Sequence, residues 1–305
     1  MASQLANLQR RFRQVFGDGA FAWFDRSYVV DWTVATAAWF VAWLISELPP
    51  YERDFHRSDP TIDFKHRHNQ ISGSLNWTVS LFVPLAVAGA IGCFRRSALE
   101  IHHSSLALYA ARGTTSITTE FLKNRVGRLR PDFLSRCDWD KEIKACTGKV
   151  ETVLDGRRSF PSGHSSTAFT GMTFLSLYLA GMTGAWCLSE PARARSLLAS
   201  RTARLALSLA PLVFATWVAI SRVEDYRHHI EDVIVGGLIG AISATVCYLI
   251  YWPNPFAPYA VRTVRAPRAP RARMVYTDDA DPRDRYDYEL AGMEHANGAP
   301  LADAV

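Results

Sequence analysis

The sequence predicts an all-α protein: a bundle of six membrane-spanning helices. Two observations carry this. Residues 75–94, 164–189 and 233–261 contain no Asp, Glu, Lys or Arg, and a bilayer-spanning helix needs about 20 mostly apolar residues. The charged residues gather at the ends of such stretches, as at Arg95-Arg96. The average hides this pattern. Of 305 residues 49% are hydrophobic, and 34 Lys+Arg against 29 Asp+Glu leave a net charge of +5, which resembles an ordinary soluble chain. Aromatic residues at 12% exclude a mainly disordered chain. Five irregularly spaced cysteines exclude a disulfide-dense scaffold and offer no zinc-type pair. The basic excess lies at helix and loop ends, so it reads as membrane orientation rather than nucleic-acid binding.

Taken in order, residues 1–26 form a cytosolic segment. Arg10, Arg11 and Arg13 precede no immediate apolar core, so this is not read as a secretory signal. A surface amphipathic helix and a frayed end are both open. The first span is Ser27–Ser46, stopped by Glu47 and Pro49-Pro50. The second is Leu75–Phe94. The third, Ser104–Leu122, carries Arg112 and Glu120. Ionisable residues at membrane depth face a partner or a wet interior, so this helix is expected at the centre; the alternative places it outside the membrane. The fourth is Ser165–Leu188, the fifth Leu205–Ser221 with Pro211 inside, and the sixth Val233–Trp252, ended by Pro253 and Pro255. Residues 253–305 read as a disordered cytosolic tail. Arg262, Arg265, Arg268, Arg271 and Arg273 in it serve as an orientation signal or touch anionic lipid.

Three clusters with chemistry stand at the mouths of spans. In KNRVGRLRP, Lys123 is followed after six residues by Arg130-Pro131. FPSGHSS places Pro161, Ser162, Gly163 and His164 at the start of the fourth span. SRVEDYRHHIED carries Ser221-Arg222, then His228, then Asp232. Lys123, Arg130 and Arg222 supply cations suited to phosphate oxygens. Ser162 and Gly163 precede a helix, where backbone N–H groups and the helix dipole favour an anion. His228 and Asp232 share one helix face, and a carboxylate beside an imidazole fixes its tautomer. The other nitrogen of His228 is then free to attack, with His164 placed to protonate a leaving oxygen. The set reads as a phosphoryl-transfer site without cofactor or metal. By geometry His229, three before Asp232, rivals His228. Asp225 and Glu231 read as solvated loop carboxylates.

Together the clusters match the signature of the type 2 phosphatidic acid phosphatase superfamily, the lipid phosphate phosphatases: Lys-x6-Arg-Pro, then Pro-Ser-Gly-His, then Ser-Arg-x5-His-x3-Asp. Every signature position is filled. The resemblance covers about residues 27–252. It implies a six-helix layout around the phosphatase/haloperoxidase-type helical core, and it selects His228 as nucleophile, with His164 and Asp232 catalytic. Lys123, Arg130, Arg222, Ser162 and Gly163 would bind phosphate. RDFHRSDPTIDF (53–64), GRLRPDFLSRC (127–137) and the third cluster look like fungal enzymes acting on diacylglycerol pyrophosphate and phosphatidate. KHRHNQ (65–70) and Arg112 depart from that texture.

The implied activity is Mg-independent dephosphorylation of phosphatidate, diacylglycerol pyrophosphate or lysophosphatidate through a phosphohistidine. The partners are then the membrane and its phospholipid phosphates, not nucleic acid. A polyprenyl-diphosphate or sugar-phosphate phosphatase on the same scaffold is the alternative. A vanadium haloperoxidase conflicts with the spans, and a lipid-binding relative without activity conflicts with the complete signature. Six spans put all three clusters on one face and both termini on the other. Arginine placement favours cytosolic termini and a lumenal or extracellular site, in a vacuolar, ER/Golgi or plasma membrane. Cys137 and Cys146 share the one long segment on that face, so an oxidising compartment predicts a disulfide between them. Cys93, Cys187 and Cys247 read as packing residues in or beside spans.

Overall fold

The computed structural model describes residues 24–187 and 200–256, with positions 7, 11 and 14–17 before them. The tail beyond 256 and most of the N-terminal segment lie outside the described residues. Six long helices run in order: α1 (Arg26–Ser46), α2 (Gly73–Phe94) and α3 (Ala98–Val126), then, after two short helices, α4 (Phe133–Cys137) and α5 (Val150–Gly156), α6 (Gly163–Thr183), α7 (Arg201–Glu224) and α8 (Ile230–Tyr251). Between α4 and α5 sits an antiparallel hairpin of β1 (Trp139–Asp140) and β2 (Ala145–Cys146).

The long helices begin before their apolar runs do, because polar caps set the ends. Ser72 caps α2 through Leu75 N at 3.2 Å, Ser97 caps α3 through Glu100 N, and Ser200 caps α7 through Ala203 N, both at 3.3 Å. A serine oxygen here satisfies an orphan N–H that water or hydrocarbon would otherwise meet. Hydropathy sees only the apolar middle, so the expected starts at 75, 104 and 205 fall two to six residues late. α6, the expected fourth span, ends at Thr183, where Gly184 takes the left-handed conformation at φ 65° and closes the turn. It therefore stops short of the expected end, and Leu188 is not among the described residues.

α1, α2, α7 and α8 are long and apolar enough to cross a membrane, with mean hydropathies of 1.5, 1.9, 1.7 and 2.2. α3 and α6 lack that composition because they sit inside the bundle. α6 packs on α2, α3, α7 and α8, and α3 on α1, α2, α6 and α8. The core of Leu106, Leu108, Phe174, Tyr178, Tyr248 and Trp252 lies where α3, α6 and α8 meet. Outward positions such as Val34, Val213, Ile242 and Val246 are apolar and exposed, as suits a lipid-facing surface.

Several polar residues of α3 are paired inward. Thr115 Oγ1 lies 2.8 Å from Thr170 Oγ1, and Thr119 donates to Ser166 Oγ at 3.1 Å. Arg112 donates to the Thr167 carbonyl at 3.3 Å and stands over the Trp39 ring. The charge that weakened this helix as a span is thus taken up by α1 and α6. Cys187 and Cys247 are buried, but Cys93, expected to pack, is exposed at the end of α2.

Two glycines let α8 lie against α6. A Cβ at Gly236 would stand 2.5 Å from the Ser162 carbonyl oxygen, and one at Gly240 2.3 Å from that of Ser166. The four-residue spacing puts both on one face, the small-residue seam by which membrane helices approach closely.

Gly240→Ala should therefore overpack the seam and cost about 1–3 kcal/mol. Gly89→Ala, whose Cβ would meet nothing within 4 Å, should be neutral or gain about 0.5–1 kcal/mol from helix propensity. Thermal unfolding in detergent checks this: the first variant should melt below the parent and the second should not. Equal melting of the two would contradict the close seam.

Candidate active site

Alternation of direction brings four helix ends together. Lys123 lies in the last turn of α3, His164 in the first turn of α6, Arg222 in the last turn of α7 and Asp232 in the first turn of α8. Arg222, His228, Arg130 and Lys123 all stand close enough to His164 to act on it electrostatically. The three sequence clusters thus converge at one end of the bundle. The opposite end joins the start of α1 to the end of α8, through Tyr28 on His103 at 3.3 Å and the His103–Tyr251 ring contact.

Ser162 caps α6 through Ser165 N at 3.4 Å, leaving the helix N-terminus as a site for negative charge. A Cβ on Gly163 would stand 3.0 Å from Lys123 Nζ, so the ammonium lies directly against that turn. None of the expected cations is bare. Lys123 donates to Glu120 at 2.6 Å. Arg130 holds Asp155 through Nε on the carbonyl at 2.9 Å and Nη2 on the carboxylate at 2.8 Å. Arg222, almost fully buried, donates to Asp225 at 2.8 Å and to Asn69 Oδ1 at 3.1 Å. Asp225, read from the sequence as solvated, is buried for this reason: a buried guanidinium needs a counter-charge. Burial alone would push Asp155 up, but Arg130 and Arg136 hold it below the usual carboxylate range.

His228 is buried just before α8. Its Nδ1 lies 2.7 Å from the Ser159 carbonyl oxygen and 3.8 Å from Asp232 Oδ2. A carbonyl only accepts, so Nδ1 carries the proton and Nε2 carries the lone pair. The tautomer is set by the backbone of Ser159, not by Asp232 as the spacing suggested. Burial is the main cause that lowers this imidazole to about 4; Asp232 opposes the shift and Arg130 adds to it.

Asp232 acts one step further out. It accepts from Ser159 Oγ at 2.5 Å, from the His229 N–H at 3.0 Å and from Arg128 at 2.8 Å. Its own carbonyl accepts from Ser162 N at 2.9 Å. Asp232 therefore ties the Ser159–Ser162 segment to α8, and with it the carbonyl that holds His228. His229 caps α8, with Nδ1 3.3 Å from Asp232. Glu231 is exposed and pairs with Arg128 at 3.1 Å.

The segment between α1 and α2 folds over this end. His66 Nδ1 donates to Asp132 at 2.7 Å, and Arg227 donates to the Arg67 carbonyl at 2.7 Å. Phe64 stacks on Tyr226 with ring centroids 4.4 Å apart. A cavity of about 660 Å³ remains between this segment and the turn before α8, lined among others by Arg53, Phe55, Arg128, Tyr226, His228 and His229. Cys137 and Cys146 are disulfide-bonded across the hairpin beside it.

Sequence reasoning missed Ser159, Arg128, Asn69 and the carboxylate partners of the cations. Arg128 stood inside the first cluster as one basic residue among four. Ser159 works partly through a backbone carbonyl, which no residue type reveals.

Residues 104–256 match the PAP2 superfamily. The chain is 32% identical to lipid phosphate phosphatase 2 of Arabidopsis thaliana, over 76% of this chain and 80% of that protein. It is 36% identical to diacylglycerol pyrophosphate phosphatase 1 of Saccharomyces cerevisiae, over 68% and 76%. To phospholipid phosphatase 2 of Homo sapiens it is 32% identical, over 66% and 74%. No solved structure matches it. Four apolar helices of membrane-crossing length make it an integral membrane protein. With the three clusters gathered at one end of an all-helical bundle, and the matched region carrying all three of them whole, the chain belongs to the PAP2 superfamily.

Proposed function

We propose that this protein is a lipid phosphate phosphatase, hydrolysing phosphatidate, diacylglycerol pyrophosphate or lysophosphatidate at His228. The observation that carries the reading is the His228 Nδ1 hydrogen bond to the Ser159 carbonyl at 2.7 Å. It leaves a neutral imidazole with its lone pair on Nε2, beside a group of cations and a helix N-terminus.

The phosphate enters among Lys123, Arg130, Arg222 and the Ser162-Gly163 turn. Its charge draws these cations from Glu120, Asp155 and Asp225 and favours the protonated form of His164. The Nε2 lone pair of His228 attacks phosphorus, and the P–O bond to the leaving group breaks. The leaving oxygen takes its proton from His164. Water then attacks the phosphohistidine, His164 receives the water's proton, the P–N bond breaks and phosphate leaves. Asp232 stabilises the positive imidazole formed in the first step. The cations and helix N-terminus supply the charge stabilisation that a metal gives elsewhere. Among the described residues no group of three His, Cys, Asp or Glu is gathered to hold a metal ion.

Six spans fit this reading, with α3 and α6 crossing inside the ring of the four apolar helices. The termini then lie in the cytosol and the site on the lumenal or extracellular face. The Cys137–Cys146 disulfide beside the site supports that orientation, since such bonds persist in oxidising compartments.

Rapid-quench labelling with a radioactive phosphate ester should trap an acid-labile adduct. His228→Ala should abolish it and lower turnover by more than about 10³-fold, the scale of losing a nucleophile. His229→Ala should keep the adduct; the reverse pattern would exchange the two histidines. Chelation with EDTA should leave activity within about twofold, and loss restored by Mg²⁺ would oppose the proposed charge stabilisation.

Protonation of His228 removes its lone pair. Because burial lowers the imidazole to about 4, adduct formation should persist as pH falls through 6.5 and fail only near 4. Labelling that disappears between pH 7 and 6 would show that the histidine is not held neutral.

A further inference from the structure

Val223 and Ile230 each border two cavities. One is the cavity lined in part by His228, His229 and Arg128. The other is a groove of about 550 Å³ between α7 and α8, walled by Phe169, Ile220, Ile234, Leu238 and Ala241. Ile220, Ile234 and Leu238 are half-exposed, so the groove opens sideways, away from the bundle core. Both helices that form it are apolar and of membrane-crossing length. Thr216 stands at its α7 wall, and Gly237 and Ala241 keep its α8 wall low.

Its length is informative. From Ile230 to Ala241 an α-helix rises about 16 Å. Half of a bilayer's hydrocarbon core is about 15 Å. The groove thus reaches from the mouth of the site to about the depth of one leaflet, the space that one acyl chain of a phospholipid occupies.

We propose that the α7–α8 groove is the acyl-chain site of the enzyme. A lipid phosphate enters sideways from the leaflet, passes its headgroup between Val223 and Ile230, and leaves one chain in the groove while the phosphate meets His228. This rests on the phosphatase reading for the headgroup. It goes beyond that reading in assigning the tail, and in naming Thr216, Leu238 and Ala241 as residues that set chain preference. Moving a CH₂ from water into such a groove is favourable. From within a bilayer that gain largely vanishes, so the groove acts by orienting the chain rather than by hydrophobic transfer.

Two measurements test the proposal. In the first, full-length wild-type protein in nanodiscs is irradiated with phosphatidate carrying a diazirine midway along one acyl chain. Adducts should map to peptides of α7 and α8 and be displaced by excess unlabelled phosphatidate, but not by phosphatidylcholine. Adducts on the outer faces of α1 and α2, or equal displacement by both lipids, would overturn it by showing ordinary boundary lipid. In the second, Thr216→Trp and Ala241→Trp fill the groove. Each should lower kcat/KM for dioleoyl phosphatidate at least tenfold and leave that for water-soluble dibutyryl phosphatidate within twofold. Unchanged hydrolysis of both substrates would overturn the groove, as would equal loss of both in variants that melt like the parent. If the wild type hydrolyses neither substrate yet shows the competed adducts, the phosphatase reading fails and the lipid groove stands.

Discussion

The hydrogen bond from His228 Nδ1 to the Ser159 carbonyl is the contact on which the site depends. It fixes a tautomer, and it does so with a backbone atom that no side-chain motion can withdraw. The carbonyl is in turn held by Asp232, whose carboxylate takes the Ser159 hydroxyl and whose own carbonyl takes the Ser162 N–H. That bracket forms only because Gly236 lets α8 approach the Ser162 carbonyl. A packing feature of the helix seam therefore reaches, through two residues, to the imidazole proposed as nucleophile.

The second constraint is charge. The three cations assigned to phosphate, Lys123, Arg130 and Arg222, stand at one end of the bundle, where an unpaired buried charge is costly. Each resting cation has a carboxylate: Glu120, Asp155 or Asp225. These pairs offset the charge of the three cations within the fold. On the proposed mechanism, phosphate would bind by exchange, taking over contacts that already exist.

Much of this was legible in the sequence. The three clusters, their convergence and the central position of a polar third helix follow from spacing and from the cost of burying Arg112. The Cys137–Cys146 pair followed from their shared loop. The six helices were legible as well, though hydropathy alone marks only four as spans, because α3 and α6 are shielded by neighbours and carry polar residues. The illegible part is what depends on backbone atoms and long-range partners. The spacing of His228 and Asp232 suggested direct contact, yet 3.8 Å separates them and Ser159 intervenes. Asp225 looked solvated because its neighbours in sequence are polar; its burial follows from Arg222. Helix ends were missed by a few residues because serine caps, not apolar runs, decide them.

The central claim is that Ser159 holds the proton of His228 on Nδ1 and so presents Nε2 to phosphorus. The position of phosphorus on the ring tests it most directly. Two-dimensional nitrogen–phosphorus NMR of the quenched, digested phosphopeptide distinguishes the two ring positions. The account predicts phosphorus on Nε2 of His228. Phosphorus on Nδ1 of His228, or on either nitrogen of His229, would contradict it.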